Sequence, residues 1–292
     1  MKNANPLEIE LKLALPTTSL EAVERHPLLA ESAETLTLAN TYFDTPNGAL
    51  SRAGIALRLR RQGDRTLQTV KTRGQGGGGL STRQEWEWSV NGALDLDALA
   101  ALPPFEGTLD EALGKLAPVL ATDFVRRRWL VEHQGSTIEL VLDQGEIRAG
   151  EARATIQELE LELKAGNAES LWALALALAE AIPLRPSESS KAARGNQLSR
   201  GAWPLPDATT PSQWLHRGLI ALDAHLDSAD DTFQADAKSA FTALTTHSEL
   251  DETLRPTAQT LLDTFDTRGS DPHFGHAALA LAHRLAIESA LS

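Results

Sequence analysis

Charged and apolar residues alternate in short segments through the first two thirds of the chain, beginning with Glu8-Ile9-Glu10-Leu11-Lys12-Leu13. Strict alternation is typical of a β-strand, because successive side chains point to opposite faces of a sheet. The charges are acidic in some segments and basic in others, which favours a sheet folded around a charged ligand. The pattern predicts strands over residues 7–15, 35–43, 54–62, 66–73, 83–90, 124–133, 136–143 and 154–164.

A helical period appears between these strands. Residues 108–120 are predicted to form a helix that begins with a capping box, because Thr108 precedes Glu111 by three positions. Residues 74–79 contain five glycines and one glutamine, so we expect a flexible hairpin loop there. Further helices are predicted over residues 18–25, 95–101 and 168–182.

The pattern changes after a proline-containing segment at residues 201–207. Beyond it, apolar residues recur with a helical period and no strand is predicted. We therefore expect a strand-rich domain over residues 1–201, a linker over 202–211 and a helical C-terminal domain over 212–292. In that last domain, helices are predicted at 212–229, 233–246, 249–265 and 274–290.

Composition limits the classes of protein to consider. The 292 residues are 42% apolar and 23% charged, which is typical of a soluble globular protein. There are no cysteines, so disulfides, thiol nucleophiles and cysteine metal sites are excluded. The formal net charge of −13 argues against nucleic acid or a membrane as the main partner. No signal peptide or apolar run of spanning length is visible, so we expect a cytoplasmic protein.

Carboxylates lie on one face of several predicted strands. Glu8 and Glu10 emerge about 7 Å apart, which is twice the rise per residue of a strand. Glu158 and Glu160 repeat this arrangement near the end of the strand-rich domain. Hard oxygen ligands in such number suit Mg²⁺ or Mn²⁺ rather than zinc. Further carboxylates on such faces are Glu85, Glu139 and Asp143.

Cations occupy the corresponding faces of other strands, and Arg58 and Arg60 share one of them. Arginine binds phosphate oxygens in bidentate fashion, whereas lysine acts as a point charge. Cations and carboxylates from several strands can together hold a polyanion and its metal, as phosphoryl transfer requires. A half-solvated antiparallel sheet shows the same alternation, so the pattern alone leaves both interpretations open. The other cations on such faces are Lys12, Lys71, Arg126 and Arg128.

These segments, in this order, resemble the CYTH superfamily, also called the triphosphate tunnel metalloenzymes. The hallmark of that superfamily, Glu-x-Glu-x-Lys, is matched by residues 8–12. Its second signature is matched by Thr-Tyr-Phe-Asp-Thr-Pro-Asn at residues 41–47, followed by residues 54–61. The resemblance covers about residues 6–200. Further matches lie at 69–72, 83–87, 123–128, 139–143, 158–164, 189–191 and 194–195.

The resemblance implies an α+β fold. Its core is an eight-stranded antiparallel β-barrel, or tunnel, with flanking helices and with the charged residues inside. A small all-α bundle would follow it in this chain. A triphosphate would bind within the tunnel. The substrate-binding residues implied in this way are Lys12, Arg58, Arg60, Lys71, Arg126, Arg128 and Lys191.

The resemblance also implies divalent cations, Mg²⁺ or Mn²⁺, one bridging phosphate oxygens and a second activating the attacking water. It places Lys12, Glu8, Glu10 and Glu160 in the catalytic set. The metal ligands would be Glu8, Glu10, Glu158 and Glu160, with Glu85, Glu139 and Asp143 as further candidates.

Tyr42, the only tyrosine, is a further catalytic candidate. In some members of the superfamily a lysine–tyrosine pair tunes activity, and Lys12 would be the lysine here. The alternative role of Tyr42 is packing beside Phe43 at the end of a strand.

The leading functional hypothesis is hydrolysis of inorganic triphosphate, or of another small molecule that carries a triphosphate. For inorganic triphosphate the products would be pyrophosphate and phosphate. The alternatives are a class IV adenylyl cyclase and a non-catalytic polyphosphate or nucleotide sensor. Glu158 and Glu160 argue against a sensor, because an anion binder without metals would be weakened by these negative charges.

The C-terminal helices resemble, in position, the CHAD domain that follows the tunnel in several bacterial inorganic triphosphatases. They hold six of the eight histidines. The segment is short, however, and from Trp203 onward it has 5 Lys and Arg against 13 Asp and Glu. We expect a partial or degenerate CHAD-like bundle, and the alternative is a bundle that serves only for packing or for forming a homodimer.

Overall fold

The computed structural model describes residues 7–29, 33–106, 109–266 and 268–291, and its central feature is an antiparallel β-barrel. The strands are β1 Leu7–Ala14, β2 Glu34–Asp44, β3 Ala56–Gln62, β4 Arg65–Lys71, β5 Gln75–Gly77, β6 Leu80–Val90, β7 Ala117–His133, β8 Ser136–Ala149, β9 Ala152–Ala165 and β10 Arg185–Pro186. Within the described residues, eight of these strands follow the order β1-β9-β8-β7-β2-β3-β4-β6, and pairing of β6 with β1 closes the barrel. The predicted α+β tunnel fold is therefore confirmed.

The strand registers decide which face of each strand is inside. Lys12 on β1 lies opposite Glu160 on β9, and Asp143 on β8 lies opposite Glu158. Residues that face each other across an antiparallel pair point to the same side of the sheet. The charged faces therefore share the lumen, and the apolar residues between them, such as Leu11, point outward into a helix-covered core.

Helices cover the outer apolar face of one side of the barrel. Residues of β1, β8 and β9 and of the C-terminal helices belong to one continuous cluster of buried apolar side chains. We therefore describe the C-terminal helices as packed on the barrel, while the domain boundary and the CHAD-like character stay predictions. The helices are α1 Leu20–Arg25, α2 Ala49–Arg52, α3 Leu96–Ala100, α4 Asp110–Leu113, α5 Glu169–Ala179, α6 Lys191–Arg200, α7 Pro211–Ser228, α8 Asp231–Thr245, α9 Arg255–Asp263 and α10 Pro272–Leu291.

α6 occupies part of the lumen and carries Lys191 at its first position. Leu198 on this helix packs with Leu38, Phe124 and Ile156, which extend from three strands of the barrel. Gly195 permits this approach, because a Cβ at this position would lie 2.7 Å from a methyl carbon of Leu120. An apolar plug thus fills the part of the lumen beside the charged residues.

The helix predicted over residues 108–120 was wrong. The chain forms only the short α4 and continues from Ala117 as the 17-residue strand β7. Gly114 and Pro118 explain this outcome, since glycine favours a helix end and proline cannot donate a helical hydrogen bond. The proposed cap residue Thr108 lies outside the described residues.

Two short strands were not predicted. Gln75–Gly77, which we expected to be a flexible loop, pairs with β6. Arg185–Pro186 pairs with β1. Among the described residues, none of the helices combines the length and the apolar character needed to cross a bilayer.

Contact between α10 and the chain before β10 depends on Gly275, where a Cβ would lie 2.0 Å from the carbonyl oxygen of Leu184. We expect Gly275→Ala to lower the free energy of unfolding by about 1–3 kcal/mol, because backbone atoms cannot move aside as side-chain ends do. Gly114→Ala is the matched control, since no described atom lies within 4 Å of its Cβ position. Denaturant unfolding measures both variants, and equal losses would contradict the close backbone contact.

Candidate active site in the barrel lumen

The lumen contains a cavity of about 1350 Å³. Charged side chains from β1, β3, β4, β6, β7, β9 and α6 line it. Its volume exceeds the roughly 300–1,000 Å³ of typical small-molecule sites, so it has room for a small polyanion together with ions and water.

Three carboxylates come together beside this cavity, and one of them, Glu160, lines it. Asp143, Glu158 and Glu160 each offer one oxygen, and these oxygens lie within 4.8 Å of one another. We call these residues the carboxylate cluster. Asp143 lies directly between Arg126 and Glu158 in the ladder of β7, β8 and β9, so strand register alone brings the group together.

Lys191 and Arg126 make the shortest contacts to the carboxylate cluster among the described residues. Lys191 Nζ lies 2.7 Å from Asp143 Oδ2 and 3.2 Å from Glu160 Oε1, and it also contacts Glu158. Arg126 donates two hydrogen bonds of 2.7 Å to Asp143 and a third of 2.8 Å to Glu160. The cluster is therefore both strongly acidic and held in position by fixed donors.

Burial raises the pKa of Glu158, and repulsion from Glu160 and Asp143 adds to the increase against the opposing charge of Lys191. Burial would also raise the pKa of Glu160, but Lys191 and Lys12 hold it well below its usual range. Close carboxylate oxygens are the ligands that Mg²⁺ and Mn²⁺ prefer, and such an ion would relieve the repulsion at Glu158. The donor set therefore fits a hard divalent cation.

Glu8 belongs to a second charged group. Lys71 Nζ lies 2.8 Å and 2.9 Å from the two carboxylate oxygens of Glu8 and 3.1 Å from Glu85. Arg83 Nε donates a 2.8 Å hydrogen bond to Glu8. Burial would raise the pKa of Glu8 and of Glu85, but the neighbouring cations lower both values. Both carboxylates are therefore ionised at neutral pH.

Lys12 connects the two groups. Its Nζ contacts Glu10 and lies 3.7 Å from Glu160 Oε1, and its side chain is almost completely buried. Arg83 also contacts Glu10. Glu8, Glu10, Glu85 and Glu139, predicted as metal ligands, are not part of the carboxylate cluster among the residues that the structure describes.

Arg58 and Arg60 differ from the cations that contact the carboxylates of the lumen. Within the described part of the chain, no carboxylate oxygen lies within 4 Å of either guanidinium, whereas Lys71, Arg126 and Lys191 all have such partners. Arg58 is 9% exposed, and its Nε has no hydrogen-bond partner among the described residues. These two guanidiniums are therefore available to an anion.

The surroundings of Arg60 destabilise its positive charge. Burial, followed by the positive charges of Arg58 and Arg126, lowers the pKa of Arg60 to about 10. It remains protonated at neutral pH, and its Nε donates a 2.9 Å hydrogen bond to Asn40 Oδ1. A phosphate bound between these arginines would offset their mutual repulsion.

Tyr42 lies beside Arg58. The two residues are directly opposite in the β2–β3 ladder. Burial would raise the pKa of Tyr42, but the charge and hydrogen bond of Arg58, and then the charge of Lys191, lower it. The tuning of activity by a pair of Lys12 and Tyr42 stays a prediction.

Arg128 and Glu139 lie at the rim of the cavity. The Arg128 side chain is 44% exposed, contacts Glu34 and lies 3.4 Å from Glu139. Lys164, which lines the same cavity, approaches Glu139 to 3.4 Å. The structure therefore separates these two predicted site residues from the carboxylate cluster.

Arg83 is the main residue that the sequence analysis missed. It lies inside the lumen and contacts both Glu8 and Glu10. The signal was present, because Arg83 is two positions before Glu85 and so shares its face of the strand. Because Arg83 lies close to the glycine-rich segment, it was interpreted as part of an exposed loop end and not as a site residue.

Comparisons with known proteins agree on the family. Residues 6–195 match the CYTH domain family. An inorganic triphosphatase from Haemophilus influenzae is 37% identical over 204 residues, which are 68% of this chain and 56% of that protein. The chain thus spans little more than half the length of this curated relative.

Solved structures are similar at lower identity. A Hippeastrum protein, a candidate adenylyl cyclase with a dominant triphosphatase activity, is 21% identical; the match covers 68% of this chain and 98% of that one, with a TM-score of 0.46. A candidate adenylate cyclase from Bacillus halodurans is 17% identical, with coverages of 63% and 96% and a TM-score of 0.38.

Proposed function

This chain belongs to the CYTH family, and from that premise we propose that it hydrolyses inorganic triphosphate to pyrophosphate and phosphate in the barrel lumen. The Haemophilus influenzae relative is an inorganic triphosphatase, which supports this reaction. The observation that carries the proposal concerns Arg58 and Arg60, which have no carboxylate oxygen within 4 Å among the described residues. Both line the same cavity as Glu160 of the carboxylate cluster. Arginines that can bind phosphate and a carboxylate that can bind a cation thus line the same cavity.

The cations would bind and orient the substrate. Arg58 and Arg60 would bind phosphate oxygens through bidentate hydrogen bonds, since neither forms an ion pair with a carboxylate among the described residues. Lys12, lying between the two charged groups, would stabilise the negative charge that develops on the leaving pyrophosphate. Lys71, Arg126, Arg128 and Lys191 would complete the predicted set of substrate-binding residues.

The carboxylate cluster would hold Mg²⁺ or Mn²⁺, and Glu8 and Glu10, whose carboxylates line the same cavity, remain proposed ligands. When bound, the ion would neutralise phosphate charge and polarise the phosphoryl group. The side chains around it would supply position and fixed charge, which account for most of the catalysis in phosphoryl transfer.

Phosphate release from tripolyphosphate and from ATP tests this proposal, with Mg²⁺, with Mn²⁺ and with a chelator. We expect release that depends on the metal and is faster from tripolyphosphate than from ATP. Cyclic AMP formed from ATP would favour the adenylyl cyclase instead. Binding of tripolyphosphate by the folded protein without release of phosphate would favour the sensor.

A further inference from the structure

Helix α7 presents three ionisable side chains on one face. His216, Asp223 and Asp227 are seven and four positions apart, and at 3.6 residues per turn they lie within about 40° of one another. This face meets residues 185–194, which we call the Lys191 segment. It contains β10, the connection to α6 and the first turn of α6.

Two ion pairs join α7 to the Lys191 segment, one of them buried and the other half-buried. Arg185 Nη2 lies 2.5 Å from Asp223 Oδ1, and the Arg185 side chain is only 3% exposed. Arg194 donates hydrogen bonds of 2.8 Å and 2.6 Å to the two carboxylate oxygens of Asp227. The partners lie on either side of Lys191 in the sequence, so α7 holds both ends of the segment.

The middle of the segment is also held. His216 Nδ1 lies 3.2 Å from Glu188 Oε2, and both residues line the mouth of the cavity. The backbone N–H of Ser187 donates a 2.9 Å hydrogen bond to the carbonyl oxygen of Lys12. Ser190 caps α6 by accepting from Ala193 N–H at 3.2 Å. The segment thus makes polar contacts at both ends and in its middle.

Lys191 is the residue whose position depends on these anchors. Its ammonium contacts all members of the carboxylate cluster. A lysine side chain is long and flexible, so the placement of its backbone decides which oxygens it reaches. Desolvation offsets much of the Coulomb energy of a buried ion pair, so such a pair is weak evidence for net stability.

We propose that α7 of the C-terminal helices is a positioning element of the active site, holding the Lys191 segment so that Lys191 reaches the carboxylate cluster. Asp223, Asp227 and His216 are its positioning residues, and neither aspartate is among the residues that line the cavity. This inference rests on the proposed function only for its effect on turnover, because the contact between α7 and the segment exists whatever the reaction is.

A double-mutant cycle tests the effect on turnover. We expect Asp227→Asn to lower kcat for tripolyphosphate by about tenfold, because small misplacements of catalytic groups are costly. Asp263→Asn, an exposed position on α9, is the matched control and should leave kcat unchanged. In a Lys191→Ala background, Asp227→Asn should change kcat less than twofold, since its effect passes through Lys191. An equal loss in both backgrounds would indicate a merely structural role and overturn the inference.

Hydrogen exchange of the full chain tests the contact without any activity. Asp227→Asn should increase exchange of the backbone amides in residues 187–194, and Asp263→Asn should not. Unchanged exchange in Asp227→Asn would overturn the inference even if the protein is an active triphosphatase. Faster exchange in a protein that hydrolyses nothing would retain the contact and reject the proposed function alone.

Discussion

Glu160→Gln is expected to lower kcat for tripolyphosphate by about a thousandfold, the largest effect of any single change to this chain. Glu160 belongs to the carboxylate cluster and contacts Arg126 and Lys191, with Lys12 3.7 Å away. Glutamine keeps the shape of the side chain and removes its charge, so the cluster loses a ligand while three cations lose a common partner.

Glu151→Gln is the control for this experiment, because Glu151 lies exposed in the turn between β8 and β9. Steady-state kinetics measures kcat, circular dichroism checks the fold, and calorimetry with Mn²⁺ measures ion binding. We expect the Glu160 variant to be folded and to bind Mn²⁺ more weakly than the Glu151 variant. Near-normal turnover would place Glu160 outside the catalytic set.

Arg58→Ala is expected to lower kcat/KM by about a hundredfold, through a higher KM and a lower kcat together. The Arg58 guanidinium is buried, has no carboxylate partner within 4 Å among the described residues and lies beside Arg60 in the lumen. Its charge is therefore free for the substrate in both the ground state and the transition state.

Two further variants make this second result specific. Arg153→Ala removes an exposed arginine that bonds only to backbone carbonyl oxygens in the described structure, and it should leave both constants unchanged. Arg58→Lys keeps the charge but loses the bidentate geometry, so it should recover only part of the activity. If Arg58→Ala behaves like Arg153→Ala, Arg58 does not bind substrate.

The local patterns of this sequence were sufficient for much of the fold. Alternation located the barrel strands, because each strand exposes one face to charge and the other to an apolar core. It also identified the residues that face the lumen, since Arg58 and Arg60, or Glu158 and Glu160, share a face whatever their partners are. The carboxylate cluster contains three of the residues that the sequence analysis named as metal ligands.

Errors arose where long-range contacts override a local pattern. Residues 108–120 have an apolar helical period, but the chain from Ala117 is drawn into β7 by pairing with β2. Gln75–Gly77 has the composition of a loop, yet β6 offers it a partner. The position of Tyr42 opposite Arg58 was not predicted either, while its pairing with Lys12 stays a prediction. None of these pairings can be derived from the residues of one segment.

By itself, the sequence determined the charge, the absence of cysteine, the strand faces and the family resemblance, because each depends on composition or on spacing along one element. Only the tertiary structure decided which carboxylates meet, which arginines lack a carboxylate partner among the described residues and which helix contacts the Lys191 segment. Those outcomes depend on strand register and on helices distant in the sequence. A register shift of one residue would leave the alternation of every strand intact and send the charged faces outward.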